Sequence, residues 1–214
     1  MSLNDELLAQ LGDSGLQQIA GLLGTDTATA RSVVEAATGT IAGGMARNAE
    51  NIDGAQSLRS ALDQHVDADP FSGDVASLSR DGEGILGHVL GSQGTEQAAQ
   101  GLAQFAGINS GTIMKLLPLI APMIMSLLAN RASQQNMDAG AVADDLNQEQ
   151  AGMQTGGLGD LLGAVLGGIF GGEPQQSQPQ QSQPQQSQPQ QPPQQQQQQQ
   201  QPSSAAPGTS NPDW

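Results

Sequence analysis

The sequence predicts an all-α chain: duplicated helical-hairpin units forming one helical domain, then a Gly/Leu-rich amphipathic segment and a disordered Gln/Pro tail. Residue usage, an internal repeat and an abrupt change of composition at Pro174 carry that expectation. Aromatics are confined to Phe71, Phe105, Phe170 and Trp214, and there is no tyrosine. A core must therefore be built from Leu, Ile, Val, Met and abundant Ala, a mixture that favours helices over sheets. From Pro174 the chain reads PQQSQPQQSQPQQ and onward, with no aliphatic residue larger than alanine. Such a segment buries too little apolar surface to offset its chain entropy. The expected organisation is a helical domain over 1–150, a conditional helix over 151–173 and a disordered tail over 174–214.

The repeat sets IAGLLGTDTATARSVVEAATGTIAGGMARNA (19–49) on LAQFAGINSGTIMKLLPLIAPMIMSLLANRA (102–132), without a gap, at an offset of 83 residues. Ala20, Gly24, Thr29, Ile41 and Ala46 fall on identical residues, while Leu22 meets Phe105 and Val33 and Val34 meet Leu116 and Leu117. Gly24 and Gly107 stand where a first helix ends and a left-handed residue is needed. Asp26 and Asn109 follow where the next helix needs an N-cap. Each copy, spanning about 15–65 and 98–148, thus reads as a short helix, a tight turn and a helix of about twenty residues.

Between the copies, Leu58, Leu62 and Val66 mark one face of a short helix. Ile85, Leu86, Val89 and Leu90 mark another, expected to open after an Asp81-Gly82 turn and to close at Gly91. In the second copy, fourteen residues from Leu116 to Ala129 are apolar but for Ser126, bounded by Lys115 and Arg131. A bilayer span needs about 20 apolar residues, so the run is expected to be a buried core helix, kinked structurally at Pro118 and Pro122. MDAGAVADDLNQEQ (137–150) reads as one further polar helix.

Three stretches carry a family resemblance: Asp-Gly-x-x-Ile-Leu-Gly-His-x-x-Gly from Asp81, the Gly-Ile-Asn turn at 107–109, and Lys-Leu-Leu-Pro-x-x-Ala-Pro from Lys115. With ARNAENIDGAQSLRSALDQH in the first copy, they cover roughly residues 1–135. The chain resembles the bacterial family known as domain of unknown function 937 and is distantly similar to YidB-like proteins. The resemblance implies an all-helical bacterial domain and brings no catalytic residues to transfer.

The residues themselves point away from catalysis. Zero cysteines rule out thiolate nucleophiles, disulfides, iron–sulfur sites and thiolate zinc sites. His65 and His88 are the two histidines, and no HxxxH or ExxH pair places two ligands on one helical face. DADPFSGD (67–74) imitates the start of a calcium loop at Asp67 and Asp69, but Phe71 occupies a ligand position. His88 is expected to bond a carbonyl or an Asp, and Ser92 nearby lacks an orienting third residue. No catalytic, cofactor-binding or metal residues are assigned, and no cofactor is expected.

Before residue 174 the chain carries 20 acids against 6 bases, scattered as Arg31, Arg47, Arg59, Arg80, Lys115 and Arg131. Nucleic-acid binding and association with anionic lipid are disfavoured by that balance. With no basic residue ahead of its short apolar stretch, the N-terminus does not read as a secretory signal, and a cytoplasmic location is the default expectation.

In GGLGDLLGAVLGGIFGG (156–172), Leu158, Leu161, Leu162, Val165, Leu166 and Ile169 form an apolar helical stripe, with Phe170 beside it. Gly159, Gly163, Gly167 and Gly171 form a small-residue row on another side. A short helix with so many glycines does not persist alone in water. It needs its own domain, a second copy or lipid to pack on. These features make a non-enzymatic protein-interaction or self-association module the expected function, acting on an unknown protein partner or on itself. A peripheral membrane protein using the Leu/Gly helix is the alternative, and a nucleic-acid-binding helical domain a weaker one.

Overall fold

The computed structural model describes residues 2–66, 74–154 and 159–170. The expected tail (174–214), the calcium-loop-like segment at Asp67 and Asp69, and Leu158 lie outside the described residues. So do the side chains of Leu161 and Phe170. Among the described residues the fold is all-helical. In chain order the helices are α1 (Leu3–Leu23), α2 (Thr27–Asn48), α3 (Ile52–Asp63), α4 (Val75–Val89), α5 (Gly91–Ala106), α6 (Ser110–Gln134), α7 (Ala139–Gln154) and α8 (Gly159–Phe170).

The two turns predicted at an offset of 83 residues share one geometry. Gly24 (φ 69°) and Gly107 (φ 67°) are left-handed. Each donates its N–H to the carbonyl four residues back, Ala20 O and Ala103 O, and the residue after it donates to the same carbonyl. Asp26 Oδ1 then accepts from the N–H groups of Ala28 and Thr29, and Asn109 Oδ1 from that of Gly111. Glycine suits the turn because a side chain there would meet the steric cost of positive φ.

The Asp26 cap has a pH signature. Hydrogen bonds from the Thr29 backbone N–H, then from its hydroxyl, hold the Asp26 carboxyl below the usual aspartate range. A carboxyl that ionises more readily folded than unfolded stabilises the fold fully above the unfolded value of about 3.9. That contribution drains away as pH falls through the lower folded value. Asp26→Asn, which keeps the cap oxygen but not the charge, is therefore expected to flatten the acid side of the stability–pH curve by lowering neutral stability toward the acid-side value. Urea midpoints at pH 7 and across the acid range measure it, and an unchanged acid limb would contradict it.

α2 and α6 form the centre on which the other helices pack. α2 is thin: residues 36–46 are all buried and are mostly Ala, Gly and Thr. Its buried Thr38 and Thr40 hydroxyls donate to Val34 O and Ala36 O, so no polar atom there is left unpaired. α6 is thick, burying Leu116, Leu117, Ile120, Ile124 and Leu128 essentially completely. Each such side chain contributes about 1.5–3 kcal/mol by leaving water. α6 is the one helix among the described residues that is long and apolar enough to cross a membrane, and 72% of its most apolar window is buried within the chain. It runs from Ser110 to Gln134 through both Pro118 and Pro122, which are themselves buried.

Two expectations about boundaries are corrected. The first helix starts ahead of the repeat, at Leu3, where Ser2 and Asp5 cap each other reciprocally, and its backbone breaks at Gly12 (φ 59°, ψ −174°), so the stretch from Asp13 to Leu23 is the short helix expected before the Gly24 turn. The helix expected to open after Asp81-Gly82 starts at Val75 instead, capped by Asp74, and runs through that dipeptide. Gly82 is there for packing: a Cβ on it would lie 1.7 Å from Pro118 O and 2.5 Å from Pro118 C. Pro122 has no N–H to give to that same carbonyl, so it is free to face the bare backbone of α4. The same helix closes at Val89, and Gly91 (φ 72°) already opens α5.

α7 is more than a polar appendage. Val142 and Leu146 are fully buried, and Asp145 and Glu149 reach Arg131 of α6 at 3.0 and 2.9 Å. Glu6 of α1 completes the cluster at 3.0 Å. Glu149 Oε1 also accepts the Leu3 N–H at the start of α1 (2.9 Å). Burial opposes the charge on Arg131, but its hydrogen bonds to Glu149, Glu6 and Asp145 outweigh that and make it a still weaker acid than an ordinary arginine. Three helices meet on one guanidinium.

Candidate functional site

The α8 stripe is taken up by the chain itself. Leu162, Val165 and Leu166 are buried, and Ile169 is partly buried against the same core. They enter a trough formed by α2 and α5 whose floor is glycine. A Cβ on Gly43 would lie 2.7 Å from Leu166 Cδ1, one on Gly101 2.4 Å from Val165 Cγ2, and one on Gly94 2.8 Å from Ile169 Cγ2. The small residues that permit close approach thus belong to the receiving helices. Gly163, on the row expected to do this, has nothing within 4 Å of where a Cβ would stand. Of the surfaces this stripe could take, Leu162, Val165 and Leu166 pack on their own domain, against α2 and α5.

A different surface is concave and open. Between α3 and α4, floored by α2 and α6, lies a groove of about 650 Å³. Met45, Leu58, Ala61, Ile85, Val89 and Met125 make its floor and walls apolar. Asn48, Ser57, His65, Arg80, Asp81 and His88 supply polar groups. This size and this mixture suit a ligand or a few inserted side chains.

Asn48, at the last turn of α2, sets both walls. Its side-chain amide donates to His88 O (3.3 Å) and Val89 O (2.9 Å), satisfying carbonyls that the end of α4 leaves without helical partners. Its backbone carbonyl is where α3 crosses, since a Cβ on Gly54 would lie 1.8 Å from Asn48 O. Asn51 begins α3 by accepting the Gly54 N–H at 2.7 Å. On the far side, Arg59 of α3 donates to Met137 O (2.9 Å) and pairs with Asp63, tying α3 to the α6–α7 turn.

Both histidines line the groove, and each is anchored in the same way. His65 Nδ1 lies 2.8 Å from Ala61 O and His88 Nδ1 2.9 Å from Gly84 O. A carbonyl only accepts, so Nδ1 carries the hydrogen in both rings, leaving Nε2 as the uncommitted nitrogen. The carbonyl bond expected for His88 is present. No group of three or more metal-ligating side chains occurs among the described residues.

Of the sequence-derived candidates, neither Pro118, which lies against Gly82 of α4, nor Pro122 lines this groove, and the described α8 residues lie on the α2/α5 trough. Asn48 and Arg80 were not singled out as site residues from local pattern, and His65 was weighed only as a metal ligand. They come from three segments whose proximity no periodicity reveals, although His88 and the stretch around Asn48 lie in the motifs that carried the resemblance.

Residues 5–131 match the model of a family described as bacterial protein of unknown function, DUF937. The chain belongs to that family. No curated protein and no solved structure matches the chain. The DUF937 region takes in α1 to α5 and α6 as far as Arg131, and every groove residue falls inside it. α7 and α8 lie beyond it, so two of the three carboxylates on Arg131, and the helix that fills the α2/α5 trough, come from outside the DUF937 match.

Proposed function

We propose that this DUF937 chain is a non-enzymatic, cytoplasmic interaction module whose docking surface is the groove between α3 and α4. One observation carries the reading: an open concavity of about 650 Å³ with an apolar floor and a hydrogen-bonding rim, whose α4 wall is held by the Asn48 side chain. The Leu/Gly face of α8, the other candidate for docking, is already occupied within the chain. Inserting α6 or α8 into lipid would first require stripping these helices from the core, which supports the groove over the membrane alternative.

The test is titration of the full chain with a neutral, environment-sensitive apolar dye such as Nile red. The expected result is saturable binding at one site, lost in Ser57→Trp and in Gly84→Phe. Ser57 is exposed on the rim and Gly84 has nothing within 4 Å of its Cβ position, so both variants fill the groove without entering the core. Circular dichroism melts check that each stays folded. Dye binding that ignores both substitutions overturns the reading.

A further inference from the structure

The groove departs from the electrostatics of the strongly acidic chain: among its described lining residues one arginine stands against one aspartate, beside two histidines. The protein carries 21 acids and only six Lys/Arg and two His. Three of those eight basic side chains, Arg80, His65 and His88, line this one groove, and Asp81 is the only acid among its described lining residues. Asp53 lies on the adjoining shallow cleft, which shares Ser57, Ala61 and His88 with it. Arg80 is exposed and, among the described residues, forms no ion pair. Arg59 and Arg131, by contrast, are paired with carboxylates.

A cation at the rim of an apolar slot selects for a molecule with an anionic end and an apolar body. Charge supplies orientation, and burial of the body supplies affinity. The strongly negative field of the whole chain argues against a partner bearing many acids, since repulsion grows with each added charge. A single negative charge delivered to Arg80 minimises that repulsion.

Resting on the groove as the docking surface, we propose that its occupant is a free, single-chain amphiphilic carboxylate. The carboxylate meets Arg80 and the histidine-lined rim, and the alkyl chain lies along Met45, Leu58, Ile85, Val89 and Met125. Of the rim groups, Arg80 is the one whose charge is permanent. Its planar guanidinium matches the two oxygens of a carboxylate.

The experiment is calorimetric titration of the full chain with saturated C8, C10 and C12 carboxylates below their micellar concentrations, beside alcohols of the same lengths. Affinity is expected to rise about fourfold per added methylene until the groove is filled. The carboxylate should bind roughly tenfold more tightly than its alcohol, the scale of one charge-assisted contact. Arg80→Gln is expected to erase that preference, bringing the carboxylate down to the affinity of its alcohol, and Ser57→Trp and Gly84→Phe to abolish both. Equal affinity for carboxylate and alcohol, or a preference that survives Arg80→Gln, overturns the proposal. If the neutral dye still occupies the groove in that case, the docking surface stands and only its ligand class falls. If neither dye nor amphiphile responds to Ser57→Trp and Gly84→Phe, both fall together. Binding only to vesicles of anionic lipid, with none to the monomeric carboxylates, also overturns it.

Discussion

Gly82→Ala is expected to destabilise the fold by about 3 kcal/mol or more, the upper range for forcing an atom into a packed interior. The added methyl would sit 1.7 Å from Pro118 O and within 2.6 Å of two further backbone atoms of α6. A flexible side chain can rotate away from such an intruder, but a helix backbone cannot. α4 would have to lift off α6, and Leu86 and Val89, both buried on that helix, would lift with it. The matched control is Gly84→Ala, two residues along the same helix, where nothing lies within 4 Å. It is expected to stabilise by up to about 0.8–1 kcal/mol through helix propensity alone. Urea unfolding followed by circular dichroism measures both. Similar midpoints for the two variants would show that the Gly82–Pro118 contact is not what holds α4 in place.

Arg131→Met is expected to cost about 3–5 kcal/mol, because it leaves Glu6, Asp145 and Glu149 clustered without their shared cation. The Arg131 side chain is 9% exposed and Glu149 only 10%, so water screens little of the resulting repulsion. The loss is larger than a surface ion pair would give, for which the usual range is about 0–1 kcal/mol. Adding Glu149→Gln to Arg131→Met should recover part of the stability, since the amide oxygen can still accept the Leu3 N–H while one negative charge is removed. A double-mutant cycle from denaturant midpoints tests this coupling. Strict additivity of the two substitutions would show that the cluster does not act as a unit.

These two sites also show how far the sequence could be read. The Gly24 and Gly107 turns were legible because a left-handed C-cap followed two residues later by Asp or Asn is a local requirement of the backbone. The burial of α6 was legible because its apolar run from Leu116 to Ala129 is only fourteen residues, although the whole helix is long and apolar enough to cross a membrane. Asp81-Gly82 misled for the same local reason: Asp-Gly is good turn chemistry, and nothing nearby in sequence announces a carbonyl of Pro118 that only a bare Cα can approach. Arg131 looked like one scattered base among six, because its partners lie 14, 18 and 125 residues away.

The Leu/Gly segment divides the same way. Its stripe and its poor intrinsic helicity follow from composition, and so does its need for a surface to pack on. Which surface it takes was decided by glycines elsewhere, Gly43 on α2 and Gly94 and Gly101 on α5, because close packing depends on what both partners leave empty. The groove belongs wholly to the second kind of information. Local sequence determined eight helices' worth of propensity, caps and apolar faces, properties set within a few residues by backbone sterics and side-chain period. Only the tertiary structure decided that Asn48, His65, Arg80 and His88 share one concavity, since that depends on how helices distant in the chain cross, and crossing is set by the shapes of side chains that meet only after folding.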